Sequence, residues 1–91
     1  MKSIKINKLL ITKAEGQEVC VNGWVRTRRG SKSVSFIALN DGSTIYNLQI
    51  VAESKYFTDN LMKRITTGSA ISVIGILVES EGQGQSVEVL A

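Results

Sequence analysis

The stretch "VRTRRGSK" sets Arg26, Arg28, Arg29 and Lys32 within seven positions, and "SVSFIALN" follows at once with Phe36. Guanidinium groups present a rigid fork of donors that suits phosphates and base edges, and an outward aromatic ring can stack on a base. Alone, a basic cluster is usually a solvated face. Beside an aromatic it points to nucleic acid. The rest of the chain offers little other chemistry. It has no histidine and one cysteine, Cys20, so imidazole acid–base catalysis and zinc sites built from these ligands are closed off. The eight acidic residues are scattered, with no paired carboxylates. The chain reads as a binder, with no catalytic residue and no metal site.

The elements that must position these residues follow from patterning. Val, Ile, Leu and Thr run in short blocks between Gly, Asn, Asp and Ser, the composition of a β-rich domain. "NKLLITKAEG" (7–16) predicts a short N-terminal helix capped by Asn7 and ended by Gly16. "EVCVNGWVRTRR" predicts a long first strand with a bulge or bend at Gly23. "VSFIALND" and "YNLQIVA" are the second and third strands, joined across the turn "DGST". "ESKYFTDNLMKRITTG" places Phe57, Leu61 and Ile65 on one helical stripe that stops at Gly68, with Tyr56 and Phe57 as core candidates. "SAISVIGILVES", the turn "EGQGQ" and "SVEVLA" supply the fourth and fifth strands. Five strands with a helix between the third and fourth predict an all-β OB-fold, a five-stranded Greek-key barrel; a rival SH3-like barrel does not normally place a helix there. The length fits one domain over residues 1–91.

Strand alternation separates two faces. Ile37 and Leu39 on the second strand, with Leu48 and Ile50 on the third, belong inside the barrel. Phe36, Ala38 and Asn40, with Asn47, Gln49 and Val51, fall on the outside. A Phe beside an amide can stack a base and hydrogen-bond its edge. Simple alternation sends Arg26 and Arg28 to the face of Trp24 and Arg29 to the opposite one. The Gly23 bend makes that parity reversible, so spacing leaves open which arginine meets a ligand. Trp24 reads as packing, Cys20 as a small buried apolar residue, and "GQGQ" lacks the features of a phosphate loop.

The blocks "VNGWVRTRRGSK", "SFIALNDGS", "LQIV", "TTGSAISVIGILVES" and "GQGQ" together resemble the N-terminal anticodon-binding domain of the asparaginyl-tRNA synthetases, over essentially the whole chain. The sister aspartyl and lysyl families share the spaced Arg-Arg, the Phe and the Gln. The resemblance implies that Phe36 stacks on the central anticodon uridine, that Gln49 and Arg29 contact that nucleotide, and that Glu88 lies near the third anticodon base. It further implies tRNA as partner and a parent class II asparagine–tRNA ligase, a homodimer using ATP and magnesium. The chain itself would then be an excised domain that needs no cofactor and charges no tRNA. A single cysteine suits a reducing cytoplasm. The longest apolar run, "AISVIGILV", is too short to span a bilayer, and the lysine-broken N-terminus lacks a signal-peptide core. The competing readings are a general single-stranded nucleic-acid binder and a protein-interaction OB domain.

Overall fold

The computed structural model describes residues 2–30, 33–57, 64–79 and 87–91. Five strands, β1 (Glu18–Gly30), β2 (Val34–Asn40), β3 (Leu48–Glu53), β4 (Ala70–Glu79) and β5 (Val87–Leu90), close into a barrel in the order β1-β2-β3-β5-β4. Every neighbouring pair is antiparallel except β3 and β5, which run parallel. This is the OB-fold barrel expected from the sequence. Its core holds the side chains that alternation turns inward: Val19, Val21, Val25, Ile37, Leu39, Leu48, Ile50, Val73, Leu77, Val87 and Val89.

β1 can serve two sheets because its halves pair differently: residues 18–24 with β4 and 24–30 with β2. Gly23 sits at this handover, where a Cβ would strike the carbonyl oxygen of Asn40, so only glycine lets the strands approach so closely. The register break lies further along than expected, between Val25 and Thr27, leaving Arg26 as the extra residue of a bulge.

The N-terminal helix is shorter than predicted. α1 spans only Ile6–Leu9, and its spacing sends Ile6 and Leu9 into the core, fully buried. Asn7 is not its cap; the N-cap position is Lys5, which makes no side-chain capping bond. The cap comes instead from the β2–β3 turn. The Ile6 amide donates to Asp41 Oδ2 at 2.9 Å and the Asn7 amide to Ser43 Oγ at 3.0 Å. Burial alone would raise the Asp41 pKa. The bonds from Ser43 and Ile6, with the charge of Lys5, outweigh it and hold the carboxyl below its ordinary 3.8.

Two side chains assigned by alternation and stripe lie elsewhere. Asn40, expected outside, is buried because the turn folds over it: its Nδ2 donates to Thr44 O, Tyr46 O and Asn47 Oδ1, and its Oδ1 accepts from the Gly42 amide. Tyr56, expected in the core, is 68% exposed. It ends a 3₁₀ turn, Ser54–Tyr56, whose three-residue period breaks the helical stripe, and Lys55 Nζ stands 5.1 Å from its ring centre. Phe57 and Ile65 do pack on the core. Between β3 and β4 the described helical residues are that 3₁₀ turn and Arg64, which is α-helical; positions 58–63 of the predicted helix, Leu61 among them, lie outside the described residues, as does the "EGQGQ" turn.

Candidate nucleic-acid interface

Directly opposed residues in a sheet share a face and lie about 5 Å apart, so register decides which side chains meet. Arg29 opposes Phe36, Phe36 opposes Val51, and Val51 opposes Leu90. The adjacent outer row runs Thr27, Ala38, Gln49, Glu88. Between these two rows lies an inner one, Arg28, Ile37, Ile50, Val89, whose three apolar members are core residues. Four sequence candidates, Arg29, Phe36, Gln49 and Glu88, therefore share one outer face.

The bulge at Arg26 makes the choice between the arginines. With Val25 opposite Leu39 and no extra residue, Arg28 would oppose Phe36. The inserted residue shifts the register by one, which exchanges faces for every later position of β1. Arg29 thus joins Phe36, while Arg28 turns to the barrel end. There its Nη1 donates to Ile65 O at 3.0 Å and its Nη2 to Ser35 Oγ at 3.3 Å. These bonds tie β1 to the segment entering β4. The Arg29 guanidinium makes no hydrogen bond or ion pair among the described residues. Arg26 is exposed in the bulge, and Lys32 lies outside the described residues. A cleft of about 370 Å³ opens beside Arg28 and Arg29, walled by Gly30, Ser35 and residues 65–67.

On the outer face Phe36 is half-buried and is not one of the core residues. Ala38 lies directly opposite Gln49, and Phe36 stands diagonally from Gln49 on the same face. Gln49 Nε2 donates to Glu88 Oε2 at 2.7 Å, the two residues directly opposed on the parallel strands. Trp24 is removed from this set; it stands over Gly42 in the β2–β3 turn. Cys20 is a buried free thiol near Ser72 Oγ, consistent with a packing role.

Sequence reasoning missed the apolar band that continues the Phe36 row. Leu90 opposes Ile76 as well as Val51, so Phe36, Val51, Leu90 and Ile76 run round four strands, with Leu90 and Ile76 exposed. The signal was present in "AISVIGILV": it carries Ile at outward positions 74 and 76 as well as Val73 and Leu77 inside. Among the described residues, no group of His, Cys, Asp and Glu could hold a metal ion, and no helix is long and apolar enough to cross a membrane.

Known proteins share both sequence and shape with this chain. The asparagine–tRNA ligase of Porphyromonas gingivalis is 58% identical over 91 residues, all of this chain and 19% of that protein. The asparagine–tRNA ligase of Parabacteroides distasonis is likewise 58% identical over 91 residues, again 19% of its length. The chain thus spans about a fifth of the relatives it matches. In shape it resembles the asparaginyl-tRNA synthetase of Pyrococcus horikoshii, with a TM-score of 0.81 at 20% identity over 98% of this chain and 21% of that one. It also resembles OBody AM3L09 bound to hen egg-white lysozyme, with a TM-score of 0.77 at 19% identity over 99% and 90% of the two chains. At such identities the two structures speak for the fold. The tRNA anti-codon family model, described as an OB-fold nucleic acid binding domain, matches residues 19–91, and this chain belongs to that family.

Proposed function

We propose that residues 1–91 are the anticodon-reading domain of an asparagine–tRNA ligase. The observation that carries this reading is the outer face of the barrel, where Arg29, Phe36, Gln49 and Glu88 meet by register. Phe36 offers a stacking platform for the central uridine, a contact of about 1–3 kcal/mol per base. The Gln49 amide offers an acceptor for the uracil N3–H and a donor for a neighbouring carbonyl. Arg29 meets the same nucleotide with a guanidinium that has no competing partner among the described residues. Arg26 and Lys32 take phosphates, Arg28 holds the strand that carries Arg29, and Glu88 lies toward the third base. The 58% identity to asparagine–tRNA ligases supports asparagine as the amino acid.

In this reading the aminoacylation chemistry belongs to the rest of the ligase. A class II catalytic domain would activate asparagine with ATP and magnesium and esterify it to tRNA, working as a homodimer in the cytoplasm. This chain contributes recognition and needs no cofactor of its own. The test is fluorescence anisotropy with RNA hairpins. A stem-loop bearing GUU should bind at micromolar or weaker affinity, since one small module buries little surface. Replacing the central U by C should weaken it about tenfold, matching an unpaired-group cost of about 1–3 kcal/mol. Equal binding of the two loops, or of poly-dT, overturns the anticodon reading in favour of a general single-strand binder.

A further inference from the structure

We infer that Glu88 is a specificity-determining residue that acts through Gln49: its carboxylate locks the Gln49 carboxamide in the one orientation that reads uridine and refuses cytidine. The inference rests on the anticodon reading above and gives Glu88 a role at the central base, through Gln49, in addition to its place toward the third.

The argument begins with the ambiguity of a free carboxamide. Its oxygen and nitrogen are nearly the same size, and a half-turn about the last side-chain bond exchanges them. Uracil presents an imino N3–H beside a carbonyl oxygen. Cytosine presents, at the same two places, a bare ring nitrogen and an amino group. An amide held one way matches the first pattern, and the same amide turned over matches the second. A glutamine that is free to turn can therefore satisfy both pyrimidines and separates them poorly.

The structure removes that freedom. Gln49 Nε2 lies 2.7 Å from Glu88 Oε2, and the residues are paired in register across β3 and β5, so backbone bonding fixes their separation. A carboxylate only accepts. Turning the amide over would set Gln49 Oε1 against Glu88 Oε2, two acceptors at hydrogen-bond distance with no proton between them. That repulsion, added to the loss of a charge-assisted bond, leaves a single orientation. One amide hydrogen is spent on Glu88. The other, with Oε1, remains for a base seated beside Phe36, in the order acceptor then donor.

The experiment compares unmutated chain, Glu88→Ala and Glu88→Gln against hairpins carrying GUU and GCU. The roughly tenfold preference of the unmutated chain for U should fall below about threefold in Glu88→Ala, chiefly because the C loop binds better as the amide turns over. Glu88→Gln should also lose most of the preference, since its carboxamide can turn with Gln49 and serve either orientation, which isolates the acceptor-only carboxylate as the lock. A merely structural role would not move this ratio. Side-chain amide NMR without RNA supplies a second readout: the Gln49 NH₂ pair should show a hydrogen-bond shift that is lost in Glu88→Ala. A ratio unchanged in Glu88→Ala, or a change confined to preference at the third base, overturns the inference while leaving the anticodon reading intact. An unmutated chain that does not separate the two loops overturns both.

Discussion

The barrel has two polar regions built on opposite plans. At the α1 end, Asp41, Ser43 and Asn40 spend their hydrogen bonds inside the protein, on the Ile6, Asn7 and Ser43 amides and on the turn itself. On the outer face of β1, β2, β3 and β5, Arg29 has no partner among the described residues and Gln49 keeps half of its amide unspent. Closed polar groups build a fold, and open ones recognise something else. The neighbouring Arg28 and Arg29 show the same division within a single dipeptide: the first is tied to Ile65 and Ser35, the second faces out beside Phe36.

The largest effect should come from breaking the closed end. Leu9→Ala leaves a cavity in the core and should lower stability by about 2–5 kcal/mol, read as a fall in the urea midpoint at constant slope. Preference for GUU over GCU among the molecules still folded should not change. Loss of that preference would mean that the two regions are not separable. Next comes the open face: Phe36→Ala should cost about 1–3 kcal/mol of hairpin binding, with the thermal midpoint moving only a few degrees. Unfolding of this variant would show that Phe36 is core.

A smaller effect sharpens the role of the turn. Asp41→Ala removes a helix cap and should cost about 1 kcal/mol of stability. Because the carboxyl is held below its ordinary 3.8, its contribution is complete at neutral pH and is lost as pH falls through the depressed value. The gap between Asp41→Ala and the unmutated chain in acid-denaturation curves should therefore close below about pH 4. A gap that persists at lower pH would separate the cap from ionisation. The smallest expected effect divides the arginine pair. Arg29→Ala should relax the preference for the central uridine and leave the thermal midpoint alone. Arg28→Ala should leave that preference alone and lower the thermal midpoint instead. The reverse result would mean the bulge register is misassigned.

Most of the barrel was legible because alternation in "SFIALN" and "LQIV" is unambiguous: one face is Ile and Leu, the other is not. The five strands and their succession along the chain followed from the number and spacing of the runs. What escaped depended on contacts between distant parts of the chain. Asn7 has the right chemistry for a cap, but the amides of Ile6 and Asn7 found better acceptors in Asp41 and Ser43, which no local pattern reveals. Asn40 continues the outward alternation, yet the turn closes over it. The arginine facing Phe36 could not be read from spacing because a bulge at Arg26, unlike a glycine, has no fixed residue signature. The outward placement of Phe36 and Gln49 was legible in the sequence, whereas the bond from Gln49 to Glu88 required the parallel pairing of β3 and β5.

That parallel pairing has a kinetic consequence. β1, β2 and β3 are successive antiparallel neighbours and can zip from their turns, with little chain entropy lost before contacts form. Gln49 and Glu88 are separated by 39 positions, so pairing their strands closes a far longer loop at a greater cost in chain entropy. Competence to read RNA should consequently appear late on the folding pathway. A chain whose first three strands are already zipped would still present Phe36, but with an untethered glutamine beside it. Such an intermediate would stack on any base without choosing among them, so fidelity would be the last property the molecule acquires as it folds.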